Sequence, residues 1–272
     1  MKPRPFDYVR PDSVEEALVL LAEHGDDARV MAGGQSLMAM LNLRIADPSV
    51  LIDISRLDEL DTIRDLGSAI EVGAAVTQNK LMAWPELDQR LPLVAAALPF
   101  VGHFQTRNKG TVCGSIAHAD PSSELPLALA TLEGEVVLRS RRGTRTLPAS
   151  AFQLDMLTTA RAPDELVTAV RFPAHPSRAV AFREVARRHG DFAIIAVAVL
   201  IEDRQTARLG IGGMSGTPVV RRIPLGNARE AIAKLAAELE GYEDLHASAA
   251  MRRDILCNLA PRVIEEAVQC AV

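Results

Sequence analysis

Cysteine is scarce in this sequence: Cys113, Cys257 and Cys270 are widely separated and form no CxxC pair. A conventional iron–sulfur cluster takes four thiolates, so any such cluster belongs on another chain. The histidines His24, His103, His118, His175, His189 and His246 show no HExxH or comparable spacing, which leaves no metal-site signature. A basic excess is also missing. The formal net charge is −5 and the pI near 5.7, which argues against a general nucleic-acid binder. No apolar run approaches the ~20 residues of a membrane span, and Met1 to Arg10 lacks the apolar core of a signal peptide, so the expected location is cytoplasmic. Neither GxxxxGK[ST] nor a helix-opening GxGxxG is present. The nearest imitation, Gly210-Ile211-Gly212-Gly213 with Gly216, is followed by Thr217-Pro218 rather than a helix, and reads as a turn.

What is present suits a folded α+β protein. The 272 residues are 48% hydrophobic and 24% charged, enough to bury a large core and to divide into two domains. Ser13 with Glu16 is a capping-box pair, and Ala17, Leu18, Leu21 and Ala22 then share one helical face before Gly25. Strands are expected at 28–31, 51–54, 69–73, 135–139 and 166–172, with helices at 91–98 and 122–132. Pro173, Pro176 and Ser177 mark a boundary. Beyond it come strands near 181–187, 194–201 and 207–211, then helical text over 228–239 and 247–268. Arg139, Arg141, Arg142 and Arg145 cluster around Gly143, the pattern of a solvated hairpin turn, with an anion site as the alternative.

Two segments carry chemistry. A phosphate bound without a dedicated cation needs several backbone N–H groups aimed at one point, which small residues permit by letting the backbone approach closely. Gly33-Gly34-Gln35-Ser36, at a strand end, meets that need. Gly110-Thr111-Val112-Cys113-Gly114-Ser115, within a loop expected over 102–121, meets it again, with hydroxyls at Thr111 and Ser115. Either loop alone is weak evidence, because a Gly-Gly pair after a strand is more often just a tight turn. A dinucleotide carries two adjacent phosphates, and two such loops together could clamp it.

At these residues the chain resembles the medium, FAD-binding subunit of the molybdenum hydroxylases, of the carbon monoxide dehydrogenase and xanthine dehydrogenase type. The resemblance rests on Ala32-Gly33-Gly34-Gln35-Ser36-Leu37, on 107–121 with the run Arg107-Asn108-Lys109-Gly110-Thr111-Val112-Cys113-Gly114-Ser115, and on Glu124-Leu125-Pro126. It continues through Phe182 to Arg188, Gly190 to Ala193, Leu245 to Ser248 and Arg252-Arg253. It implies a vanillyl-alcohol-oxidase-type (PCMH-type) FAD-binding domain over 1–176, in lobes of about 1–55 and 56–176. A C-terminal domain over 177–272, with a three-stranded antiparallel sheet and helices, would follow. It further implies that Ala32 to Leu37 and Thr111 to Ser115 hold the diphosphate of a non-covalent FAD, with His118, Asp120, Glu124, Leu166, Arg183, Asp191 and Phe192 also at the cofactor. For Glu124 and Arg183 the alternative is a pair of solvated charges.

The implied role is electron transfer. FAD would collect electrons from [2Fe-2S] clusters on a small partner subunit, fed by molybdopterin on a large one, and the resemblance implies a dimer of heterotrimers. The alternative is a self-sufficient flavin oxidoreductase of the same fold, which would need acid–base groups over the flavin that the C-terminal third does not display. Two positions depart from the family pattern: Cys113 replaces a usual glycine, and Met251 replaces an aromatic before the paired arginines. A left-handed backbone at Cys113 would cost ~1–2 kcal/mol, so an extended Cys113 turned away from the phosphates is expected, with Gly114 making the closest approach. The alternative at Cys113 is a reactive thiolate activated by nearby N–H groups.

Overall fold

The computed structural model describes residues 2–174 and 179–270. The boundary expected at Pro176 therefore lies outside the described residues. Strand β1 (Asp7–Val9), helix α1 (Val14–His24), β2 (Ala28–Met31), α2 (Leu37–Leu43) and β3 (Val50–Asp53) come first. They build a parallel sheet in the order β1-β3-β2. Helix α1 begins where the sequence says: Ser13 Oγ accepts from Glu16 N, and Val14, Ala17, Leu18 and Leu21 are buried.

A second sheet follows, with β4 (Ile63–Asp65), β5 (Ala69–Gly73), β6 (Glu135–Ser140), β7 (Gly143–Pro148) and β10 (Leu166–Pro173) in the antiparallel order β4-β5-β10-β6-β7. Between β5 and β6 the chain forms α3 (Gln78–Met82), α4 (Leu87–Arg90), α5 (Pro92–Ala97), α6 (Phe104–Arg107), α7 (Val112–His118) and α8 (Glu124–Thr131). After β7 come α9 (Ala149–Phe152) and the small hairpin β8 (Gln153–Asp155) and β9 (Thr158–Thr159). The arginine cluster sits on the β6–β7 hairpin, where Arg139 pairs with Glu15, Arg142 with Asp164 and Arg145 with Glu165. Its charge is largely neutralised by protein carboxylates.

The last sheet has four strands rather than three: β11 (Val180–Val185), β12 (Ile195–Ile201), β13 (Thr206–Gly212) and β14 (Val219–Pro224), antiparallel and in that order. The fourth is hidden in the sequence because it is an edge strand bearing Arg221 and Arg222 in place of an apolar alternation. Arg222 reaches Glu202, which Arg208 of the neighbouring strand also engages, so the charges form a cross-strand cluster. Helices α10 (Ala228–Glu238) and α11 (Ala249–Gln269) complete the chain.

This sheet is buried on both faces. Phe182, Ala196, Ala198 and Leu200 join the core of the first two sheets, packing toward α5 and α8. Ile195, Val197, Val199, Leu209 and Ile211 face a second core with α10 and α11. Two-sided burial explains the uninterrupted apolar text of β12. It also corrects the turn expected at 210–213. Gly210 and Gly212 lie inside β13, and a side chain at Gly210 would run into Thr131 of α8. Those glycines let α8 lie close against the sheet.

Candidate cofactor site

The first glycine segment links β2 to α2. Gly34 takes φ of 69°, a left-handed turn that favours glycine, and its carbonyl accepts from Met38 N at 3.0 Å to start the helix. The N–H groups of Gly33, Gly34, Gln35 and Ser36 donate to no acceptor among the described residues.

The second segment is not the loop the sequence suggests. Thr111 is the N-cap of α7: its Oγ1 accepts from Gly114 N at 3.0 Å, and Val112 onward is helical. Thr111 also bridges Thr77, with Gln78 N donating to Gly110 O and Val112 N to Val76 O. The segment is thus tied to the end of the β5 region. The N–H groups of Thr111 and Cys113 remain undirected to protein.

The fold brings the two segments into contact. A Cβ at Gly33 would overlap the Lys109 carbonyl and lie 2.7 Å from Gly110 Cα. Only glycine lets the backbones approach this closely, and the two segments that meet there carry six N–H groups without an acceptor among the described residues. Behind Gly110 the side-chain amide of Gln78 is buried with its oxygen unpartnered. Such a cradle fits a dinucleotide diphosphate.

Cys113 is corrected on conformation. It is helical rather than extended, and its φ is not positive. Its side chain does turn inward, 2% exposed, with Sγ donating to Val72 O at 3.3 Å. Burial pushes the thiol well above its ordinary range, so no thiolate forms there.

The remaining expected residues divide. His118 ends α7, half-buried, and burial lowers its pKa. Asp120 accepts from Ser122 N at 2.8 Å and shapes the turn into α8. Glu124 is the first residue of α8 and is buried; no other described residue donates to its carboxyl, and burial raises its pKa to about 7. Asp191 pairs with Arg188, while Phe192 is 61% exposed. Their turn is pressed onto the other half of the molecule, since a Cβ at Gly190 would lie 2.6 Å from His103 and 2.8 Å from Gly102 O. Arg107 Nη1 holds that same stretch through Val101 O and Gly102 O, three residues before Gly110.

Two do not converge. Leu166 is fully buried in the core at the start of β10. Arg183 lies on the outer face of β11, exposed, paired with Glu266 of α11 at 2.6 Å. The inner-face neighbours are Phe182 and Glu184, and the sequence reading did not single out Glu184. Strand alternation from the buried Phe182 would have indicated it.

Comparison with known proteins agrees with this architecture. Residues 4–175 match the family described as FAD binding domain in molybdopterin dehydrogenase. The chain is 36% identical to the 6-hydroxypseudooxynicotine dehydrogenase complex subunit alpha of Paenarthrobacter nicotinovorans, covering 100% of this chain and 97% of that protein. It is 37% identical to the caffeine dehydrogenase subunit beta of Pseudomonas sp. (strain CBB1), covering 98% and 96%. Among solved structures, a carbon monoxide dehydrogenase of Hydrogenophaga pseudoflava lacking the Mo-pyranopterin moiety gives a TM-score of 0.91 at 32% identity over 100% of both chains. The chain belongs to the family of FAD-binding medium subunits of molybdenum hydroxylases, and is an oxidoreductase subunit.

Proposed function

We propose that this chain is the electron-transferring FAD subunit of a molybdenum hydroxylase, and that it works only with partner subunits. The observation that carries the reading is the contact of Gly33 with Lys109 and Gly110, which gathers backbone N–H groups from two distant segments. Ala32 to Leu37 and Thr111 to Ser115 hold the diphosphate through those groups, without a covalent link to the cofactor. Bound FAD supplies a centre that takes up and releases electrons singly or in pairs. The protein's own part is to bind, orient and shield it. In this reading the turn carrying Asp191 and Phe192, whose Gly190 packs on Gly102 and His103, and the buried Glu124 belong to the same cofactor site.

The parallel and the five-stranded sheets correspond in this reading to the two lobes of the PCMH-type domain, about 1–55 and 56–176, followed by a C-terminal domain. The partners are a small iron–sulfur chain and a large molybdenum chain, assembled as a dimer of heterotrimers in the cytoplasm. Among the described residues no helix is long and apolar enough to cross a membrane. Purification from the native host tests the proposal. Expected are a yellow protein, FAD released intact by acid, and co-purifying iron–sulfur and molybdenum chains. Extraction of FMN would refute the diphosphate cradle, and isolation as a lone, fully active oxidase would refute the dependence on partners.

A further inference from the structure

Glu184 follows Val180 and Phe182 on the inward face of β11, where the C-terminal sheet meets the rest of the molecule. Its Oε2 is buried and has no hydrogen-bond partner among the described residues. Glu124, across the seam on α8, is 5% exposed and equally receives no hydrogen bond from any other described side chain or backbone group. A buried carboxyl oxygen without a partner, with a second buried carboxyl acting on it electrostatically, is costly in a folded protein unless something completes it.

The surroundings offer no cation. Helix α5 and strand β12, which pack against β11, carry no titratable residue. Arg183 points to the opposite face, where Glu266 of α11 engages it. In the β11–β12 turn Arg188 and Asp191 neutralise each other, and Arg187 and His189 are exposed. Asp120, before α8, adds a further negative charge against Glu124. The pair can therefore be accommodated only by retaining a proton. Burial raises Glu184 to about 8, with the charge of Glu124 as the second cause, which favours a protonated carboxyl at neutral pH.

We propose that Glu184 is a cofactor-binding residue, and that a heterocyclic ring of FAD completes its buried, unpartnered oxygen. This rests on the FAD reading above. A protonated carboxyl presents an O–H donor beside a carbonyl acceptor. Both rings of FAD display an N–H or amino donor next to an acceptor, so the two edges match without any charge. The role expected for Arg183 thus passes to its neighbour on the inner face, and the recognition is by a neutral group rather than a cation.

The test is FAD affinity of the deflavinated full-length chain, measured by flavin fluorescence between pH 6 and 9.5, with ADP as a second ligand lacking the flavin ring. The wild type should bind tightly at pH 6.5 and weaken above pH 8, approaching tenfold per pH unit as the binding-competent protonated form is depleted. Glu184→Gln keeps one donor and one acceptor, so it should bind within about threefold of wild type at pH 6.5 and show no loss up to pH 9. Glu184→Ala should lose roughly tenfold or more at pH 6.5, the value of one good hydrogen bond. Glu124→Gln, which removes the neighbouring charge, should move the wild-type fall to lower pH. A fall shared by ADP assigns the adenine, and one confined to FAD assigns the flavin ring. Identical pH profiles for wild type and Glu184→Gln, or unchanged affinity in Glu184→Ala, would overturn the proposal. Absence of FAD binding by the wild type at any pH would instead remove the cofactor reading itself. Melting curves of each variant establish that a loss of affinity is not a loss of fold.

Discussion

Replacing Gly33 by alanine should drive the two cofactor segments apart. The added Cβ would lie 2.7 Å from Gly110 Cα and 2.8 Å from the Lys109 carbonyl carbon, where carbon atoms rest at about 3.5–4.0 Å. Both obstacles are backbone, so no rotamer change relieves them. The junction must open by about 1 Å, which at the usual cost of overpacking is ~1–3 kcal/mol. If bound FAD has to hold the segments at their native spacing, that cost appears in its affinity, as a loss of roughly 5- to 150-fold at about 1.4 kcal/mol per decade. The assay is FAD titration of the deflavinated chain, with urea unfolding of the same sample. Gly34→Ala is the control: its φ of 69° makes alanine strained by ~1–2 kcal/mol, yet the nearest atom to its Cβ is Met31 Sδ at 3.4 Å. It should lower stability while leaving the segments together. Wild-type affinity and stability in Gly33→Ala would show that the segments are not held in the contact described, and the reasoning from it would fail.

Other substitutions probe neighbouring claims. Gly114→Val places a branched side chain against Thr111 Oγ1, 2.6 Å from the ideal Cβ, and should disrupt the α7 cap, costing ~0.5–2 kcal/mol and weakening FAD binding. Cys113→Gly should leave FAD affinity within about twofold, since its side chain points into the core, but lower unfolding stability by ~1 kcal/mol or more through a mid-helix glycine and a small void. The opposite ranking of those two affinities would contradict the placement of Cys113. Arg183→Ala should not change FAD affinity and should cost at most ~1 kcal/mol of stability, because its partner Glu266 is on the surface. Arg252 is 1% exposed and donates to Ile194 O, Gly213 O and Asp244 while lying 4.1 Å from the Tyr242 ring. Arg252→Met should cost ~3–5 kcal/mol, because carbonyls and a carboxylate lose their donor. At about 2–4 °C per kcal/mol, calorimetry should find Tm lowered by roughly 6–20 °C. A shift under 2 °C would show that the buried arginine does not hold the C-terminal sheet.

Period and punctuation made much of the fold legible. Ser13 and Glu16 fixed the start of α1, and the apolar text at 194–201 announced β12 within one residue, because capping and burial act through neighbours in sequence. The glycine segments were legible too, since small residues grouped at a strand end leave a local trace. What tertiary structure decided was who meets whom. The contact of Gly33 with Gly110 joins residues far apart in the chain and has no local signature. Strand β14 was concealed by Arg221 and Arg222, whose charges suit an edge, and that of Arg222 is balanced by Glu202 and Glu133 only after folding. The glycines of β13 signalled a turn, yet they serve close packing of α8 against a sheet, a need that arises from another element. Likewise, resemblance singled out Arg183, and it was the pleat that set Glu184 on the inner face with Phe182 and sent Arg183 to the far face beside Glu266. Sequence determines local periodicity; which face is inner depends on what the fold places against it.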